Sequence, residues 1–160
     1  MLSAVFAAAL LTAGPSVVAQ SGGYGYVFAA PGQLRCCGAS QSTWHLGGGG
    51  EMVTPSGVGV GAEMGFLGPR DTFSDGIGTL SIDGSYHFRV QGSRRVSPFA
   101  AGGYSLFFRD GHFNLFNYGG GIQYELSPRT GLLVEFRDHV HSEQSVTAHY
   151  WGVRFGVTFR

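Results

Sequence analysis

Apolar and polar residues alternate with a period of two along much of this chain. In Ile77–Arg89 the apolar residues Leu80, Ile82, Tyr86 and Phe88 share one face, and polar residues occupy the other. Successive side chains of a strand point to opposite sides, so this pattern predicts a β-strand with one apolar and one polar face. The same reading along the chain predicts eight strands, which are Gly23–Ala30, Thr43–Val53, Val58–Phe66, Ile77–Arg89, Pro98–Phe108, Asn114–Leu126, Thr130–Asp138 and Trp151–Phe159.

The segments between these strands predict two kinds of connection. Thr54–Gly57 and Ser127–Arg129 consist of turn-forming residues and predict tight turns. Pro31–Ser42, Leu67–Gly76 and His139–Val146 are longer and alternate with the turns. An even number of strands of about 9–13 residues, with short turns at one end and longer loops at the other, is typical of a transmembrane barrel. The sequence therefore predicts an all-β fold, an eight-stranded antiparallel up-and-down transmembrane β-barrel.

The alternation alone does not decide between two kinds of barrel. The apolar face points to lipid in a membrane barrel, but it points inward in a soluble, lipocalin-like barrel. Charges near the strand centres favour the membrane barrel, in which they would pair across the lumen. The predicted lumen charge network consists of Glu63, Asp83, Glu125, Glu135, Arg137 and Arg154. Aromatic residues on the apolar face predict girdles at the membrane interfaces. The predicted lipid-facing aromatics are Tyr86, Phe88, Tyr124, Phe136, Trp151, Phe155 and Phe159, with Phe66 and Phe107 completing the girdle at the loop end.

Composition narrows the function classes. The 160 residues include 10 basic residues, all of them Arg, and 10 acidic residues, so the formal net charge is zero. A nucleic-acid partner is not expected, because such proteins carry a basic excess. The 22 aromatic residues argue against disorder. The 28 glycines follow no three-residue period, which excludes collagen. No phosphate-binding loop is present, and no cofactor is implied.

The first residues predict export. Met1–Ala13 is apolar and uncharged, Gly14 and Pro15 interrupt it, and Val17–Ala19 supplies small residues of the kind that signal peptidase reads. We expect a signal peptide over residues 1–19 and a barrel domain over residues 20–160. Export permits disulfides, yet the two cysteines, Cys36 and Cys37, are adjacent and cannot link distant segments. Their oxidation state is open at this point.

Several strand motifs resemble those of a known family. They are Pro98–Tyr104, Tyr118–Tyr124, Val134–Asp138 and the closing Gly152–Phe159. With the signal peptide, they resemble the small eight-stranded outer-membrane β-barrel proteins, the superfamily that contains the outer membrane protein A transmembrane domain and the opacity-type surface antigens. The resemblance implies a bacterial outer-membrane location. It also implies contact with outer-membrane lipid and lipopolysaccharide, recognition by the barrel-assembly machinery, and an extracellular ligand at the loops as a candidate partner. Arg160 departs from the family, whose last strand usually ends on its aromatic residue.

One segment carries candidate chemistry. His139, His141, Ser142 and Glu143 hold the residue types of an acyl-hydrolase triad and resemble, imperfectly, a motif of the lipid A deacylases. Adjacent strand residues face opposite sides, so His141 and Ser142 would need a turn to meet. A polar exposed loop explains the segment more simply, and a metal site is not expected. The sequence therefore predicts a structural or surface-interaction barrel without a general pore, with a lipid A deacylase-like acyl hydrolase and a secreted lipocalin-like binding barrel as the alternatives.

Overall fold

The computed structural model describes residues 22–90, 92–93, 95–143 and 146–160. The predicted signal peptide, residues 1–19, lies outside the described residues and stays a prediction. The side chains of Ser142, Glu143 and Val146 also lie outside this description.

Eight antiparallel strands make up nearly all of the described chain, and each pairs with its sequence neighbours. They are β1 (Gly22–Cys36), β2 (Ala39–Val53), β3 (Val58–Pro69), β4 (Ile77–His87), β5 (Val96–Phe108), β6 (His112–Glu125), β7 (Thr130–Glu143) and β8 (Val146–Phe159). β8 pairs with β1, for example Val27 with Val157, so the sheet closes into a barrel. A single-turn 3₁₀ helix, Phe73–Asp75, lies between β3 and β4. No helix among the described residues is both long enough and apolar enough to span a membrane.

The strands extend further than predicted at one end of the barrel. We call this the hairpin end, because β1 and β2 meet there in a turn of only two residues, Cys37 and Gly38. The opposite end, where β1 begins and β8 ends, is the turn end, with the Thr54–Gly57 turn. The predicted loops Pro31–Ser42 and His139–Val146 are wrong, since most of each is strand. The predicted contrast between short turns and long loops is therefore also wrong.

Where a face was predicted, the strands present it to the outside, with one exception in β5. Apolar side chains such as Ile82, Met64 and Phe116 point outward and are exposed, whereas Glu63 and Arg154 point into the lumen and are buried. β5 contains one error of phase, because Phe107 is buried in the lumen and its neighbour Phe108 points outward. This polarity is the reverse of a soluble barrel, whose apolar residues fill the interior.

Glycines face the long inward side chains across the strand pairs. Glu135 pairs with Gly121 and Arg137 pairs with Gly119. A Cβ at Gly119 would clash with the carbonyl oxygen of Phe136 and lie 3.0 Å from the Arg137 Cα. An eight-stranded barrel has an interior just wide enough for side chains. The inward glycines therefore supply the space that the charged side chains occupy.

We expect Gly119→Ala to destabilise the barrel, by about 1–3 kcal/mol, which is typical of overpacking against backbone that cannot move. Gly84→Ala is the matched control, because a Cβ there points outward and its nearest neighbour is the Gly102 carbonyl oxygen at 3.9 Å. The measurement is urea unfolding of both refolded variants in detergent micelles, followed by tryptophan fluorescence. Equal unfolding midpoints for the two variants would contradict this explanation of the glycines.

Candidate functional site

A buried ion pair crosses the middle of the lumen from β8 to β3. Arg154 donates hydrogen bonds from Nη1 and Nη2 to Oε2 and Oε1 of Glu63, at 2.6 and 2.8 Å. The side chains are 2% and 1% exposed. Tyr26 donates its hydroxyl hydrogen to Glu63 Oε2 at 3.0 Å, and the guanidinium lies over the Phe28 ring, 4.4 Å from its centroid. Glu135 Oε2 lies 3.5 Å from Arg154 Nη1. Such bidentate geometry compensates the desolvation of both charges.

A second arginine extends this cluster toward β4. Arg137 donates from Nε to Oε1 of Glu135 at 2.7 Å and from Nη1 to Oδ2 of Asp83 at 2.5 Å. Asn117 donates from Nδ2 to Asp83 Oδ1 at 2.7 Å and to Ser105 Oγ at 2.9 Å. The lumen centre thus holds three carboxylates and two guanidiniums, and the Asn117 amide supplies a further donor to one carboxylate. Five of the six residues predicted for the lumen network meet in this cluster.

Glu125 is the exception among those six. It lies at the turn end of β6, where Arg160 Nη1 is 3.1 Å from its Oε1. Both side chains are about a quarter exposed, at 26% and 28%. The alternation placed Glu125 on the inward face correctly, but its position at the strand end removes it from the central cluster.

Sequence reasoning missed a further carboxylate in the lumen, Glu51 on β2, whose side chain is 12% exposed. Glu51 Oε1 lies 3.1 Å from His87 Nε2, and it also accepts a hydrogen bond from Ser85. Tyr24 donates to Oε2, and Ser97 Oγ lies 3.3 Å from the other ring nitrogen of His87. These groups fill the lumen between the central cluster and the turn end. Glu51 follows four glycines, so the alternation that marks a strand face is absent just before it.

The hairpin half of the lumen is aromatic. His45 is 1% exposed, and its Nε2 lies 2.9 Å from Thr79 Oγ1. His139 is equally buried, with its ring 5.3 Å from that of Tyr150 and 5.4 Å from that of Phe107. Histidine, tyrosine and phenylalanine rings therefore pack together in the lumen between the charged cluster and the hairpin end.

The described side chains at the centre of the lumen leave a small cavity between them. Beside the central cluster lies a cavity with about 20 Å³ of water-accessible space, enough for one water molecule. Its lining includes Tyr24, Glu51, Ser85, Glu135 and Arg137. At its centre, the described part of the interior is packed with polar side chains around this water-sized gap.

The candidate catalytic residues are spread over different environments. His139 points into the lumen, whereas His141 lies at the hairpin end with Nδ1 2.8 Å from the Asn114 carbonyl oxygen. The side chains of Ser142 and Glu143 lie outside the described residues. In the part of the chain that the structure describes, no group of three or more histidine, cysteine or carboxylate side chains is arranged to bind a metal ion.

All seven aromatics predicted to face lipid lie on the outer surface of the barrel. Tyr86 and Phe88 stack edge to face at 5.1 Å near the turn end, with Phe88 just beyond the end of β4. Phe136, near the middle of β7, and Trp151 on β8 lie 6.2 Å apart. The remaining three, Tyr124, Phe155 and Phe159, are exposed outward-facing residues of β6 and β8. Tyr86, Phe88, Tyr124 and Phe159 lie close to strand ends at the turn end, as the residues of an aromatic girdle do.

A model of the outer membrane protein beta-barrel domain family matches residues 1–159. The chain belongs to this family. Membership places this outer-membrane barrel in the bacterial outer membrane, with its strands spanning the bilayer. The soluble lipocalin-like alternative is therefore wrong, in agreement with the apolar outer face.

Solved structures agree with this assignment at the level of the fold. Neisserial surface protein A superimposes with a TM-score of 0.71 and 14% identity, over 87% of this chain and 97% of that protein. The N-terminal β-barrel domain of Pseudomonas aeruginosa OprF gives a TM-score of 0.60 and 17% identity, over 88% and 98% of the two chains. OprG from P. aeruginosa gives 0.54 and 14%, over 88% and 97%. None of the curated protein sequences matches the chain significantly.

We expect Arg154→Met to destabilise this outer-membrane barrel by about 3–5 kcal/mol, because Glu63 would remain as a buried charge without its main partner. Arg109→Met is the matched control, since Arg109 Nη2 lies 3.9 Å from Asp75 Oδ1 and both side chains are largely exposed. An exposed pair of this kind contributes only about 0–1 kcal/mol. Urea unfolding in micelles gives both values. A cost for Arg154→Met no larger than that of the control would show that the central pair adds no stability.

Proposed function

We propose that this outer-membrane barrel has a structural and surface-interaction role and does not act as a general diffusion pore. The observation that carries the proposal is the filled lumen. Arg154, Glu63, Arg137 and Asp83 bridge the interior, and the cavity beside them has room for a single water molecule. A sugar or peptide could pass only if these buried ion pairs separated, at a large energetic cost.

We further propose that the hairpin end faces outward from the cell. β1 and β2 remain paired up to Cys36 and Ala39, whereas the pairing of β2 with β3 begins only at Thr43. The first hairpin therefore projects beyond its neighbour β3. Its projecting residues include the exposed polar side chains Ser40, Gln41 and Ser42. Polar hairpins held rigid by strand pairing provide a surface for an extracellular partner, and neisserial surface protein A, which shares this fold, is a surface protein by name.

A polar cluster on the outer surface supports contact with lipopolysaccharide. Tyr118 donates to Asp138 Oδ2 at 2.9 Å, and His149 Nδ1 lies 3.1 Å from the same oxygen. Arg35 pairs in register with His149 on the adjacent strand and is exposed. Asp138 lies on the outward face of β7, but its side chain is largely covered by these neighbours. The Arg35 guanidinium and the Tyr118 hydroxyl are placed to contact the phosphates and sugars of lipopolysaccharide.

Recognition by the barrel-assembly machinery is part of the same proposal. β8 ends with the outward apolar residues Phe155, Val157 and Phe159, which are exposed on the barrel surface. This alternating aromatic and aliphatic face is the feature that such machinery would find in an unfolded chain.

Purified protein in liposomes should give no osmotic swelling with a pentose above that of protein-free liposomes, because the lumen is filled. A large porin reconstituted in parallel provides the positive control. Before the assay, a shift in gel mobility between boiled and unboiled samples verifies that the barrel has folded. Swelling by the folded protein at a rate that increases with its amount would refute the proposal of a closed lumen.

Orientation is testable with epitope tags inserted at the two ends. A tag between Cys37 and Gly38 should bind antibody on intact cells. The matched tag between Pro55 and Ser56, in a turn at the opposite end, should bind only after the outer membrane is permeabilised. The reverse pattern would place the hairpin end in the periplasm and overturn the proposed surface role of the hairpins.

A further inference from the structure

The two cysteines lie together at the hairpin end of the barrel. Cys36 is the last residue of β1, and Cys37 and Gly38 form the two-residue turn to β2. Both turn residues have positive φ, 55° at Cys37 and 78° at Gly38, as two-residue hairpins of type I′ require. Cys37 is the only residue other than glycine with a positive φ in the described part of the chain. A site where glycine or asparagine is the usual choice therefore carries a thiol.

The two thiols are in contact and accessible. The Sγ atoms are 2.6 Å apart, Cys37 is exposed and Cys36 is half-buried. Both cysteines are free. They are the only two cysteines of the 160-residue sequence, so neither has another cysteine of the same chain as a partner.

A disulfide between neighbouring residues is intrinsically reducible. The Cα atoms across a trans peptide are about 3.8 Å apart, whereas disulfides ordinarily need about 4.4–6.8 Å. Closure within one dipeptide therefore requires distortion. Distorted and exposed disulfides have more oxidising potentials than structural ones, and these are the labile and regulatory kind. A bond between Cys36 and Cys37 would thus open and close readily instead of serving as a staple.

The two sulfurs differ in how they would react. Cys36 lies at the turn, outside the membrane-spanning part of β1, and its hydrogen bond to the Cys37 sulfur raises the pKa of its thiol. Cys36 therefore keeps its proton longer, and the exposed Cys37 sulfur is the one that meets a reagent in solution. Thiolate is the reactive form in disulfide exchange.

We propose that Cys36 and Cys37 form a reversible dithiol–disulfide exchange site for small-molecule disulfides. The Cys37 thiolate attacks one sulfur of the substrate disulfide RSSR, which forms a mixed disulfide and releases one thiolate RS⁻. Cys36 then loses its proton to water, and its sulfur attacks the Cys37 sulfur, which releases the second RS⁻. The two cysteines are oxidised by two electrons, RSSR is reduced to two thiols, and excess thiol reverses both steps.

The test uses refolded protein in detergent, titrated with oxidised and reduced glutathione and read by intact mass. We expect the wild type to lose the mass of two hydrogen atoms, and to regain it when reduced glutathione is in excess. Cys36→Ser should stop at a single glutathione adduct on Cys37, because the resolving thiol is missing. Cys37→Ser should form its adduct more slowly, since the exposed attacking sulfur is gone.

A matched control moves one cysteine to the other side of the turn. Cys36 and Ala39 are paired residues of β1 and β2, so Cys37→Ser combined with Ala39→Cys places two sulfurs across the hairpin at ordinary disulfide geometry. We expect this control to remain oxidised at glutathione ratios that fully reduce the wild type. Three results would overturn the proposal: a wild type that stops at a glutathione adduct or dimerises, one that does not react, and one as hard to reduce as the control.

Discussion

Closure of the sheet is the constraint on which the rest of this structure depends. A bilayer supplies no hydrogen-bond partners for backbone amides and carbonyls, so every strand within it needs a neighbour on both sides. β8 meets that requirement by pairing with β1 from Gly25–Phe159 to Arg35–His149. Closing only eight strands in this way leaves an interior about as wide as the side chains that fill it. The narrow lumen and the inward glycines both follow from this closure.

The charges inside the barrel depend on the same narrow geometry. Because Arg137 faces Gly119 on β6 and Gly152 on β8, its side chain can extend across the lumen to a partner on a strand that is not adjacent to its own. Arg137 reaches Asp83 on β4, and Arg154 reaches Glu63 on β3. If the inward side chains were also apolar, both faces of each strand would be compatible with lipid, and either face could turn inward. A polar interior removes that ambiguity, because only one face of each strand is then compatible with lipid.

Alternation in the sequence predicted the strands and their faces wherever both faces are distinct. It was less successful where the residues on the two faces do not differ in polarity. Residues 39–42 are strand but mostly polar on both sides, and in residues 33–36 the outward side chains Gln33 and Arg35 are polar while Leu34 packs inward, so neither stretch shows the apolar outer face that marked the other strands. In Leu106–Phe108 three apolar residues stand in a row, and the phase was assigned one residue out at Phe107. Glu51 follows four glycines, which have no side chains and therefore show no alternation of apolar and polar residues. The pairing of Arg154 with Glu63 required the closed barrel, since neither strand is a neighbour of the other.

The order in which these interactions can form gives the central cluster a particular part in assembly. Glu63 and Arg154 are 91 residues apart in sequence, whereas neighbouring strands pair through local hairpins. Local pairings can form in an open sheet, but the Glu63–Arg154 pair exists only after β8 has come round to β1 and the lumen has closed. Its hydrogen bonds therefore stabilise the closed barrel selectively over any open sheet with the same hairpins. A register slip of one residue at the β1–β8 junction would turn Arg154 toward lipid, at a cost of about 2–4 kcal/mol at the bilayer midplane. The buried charges thus oppose both incomplete closure and closure in the wrong register.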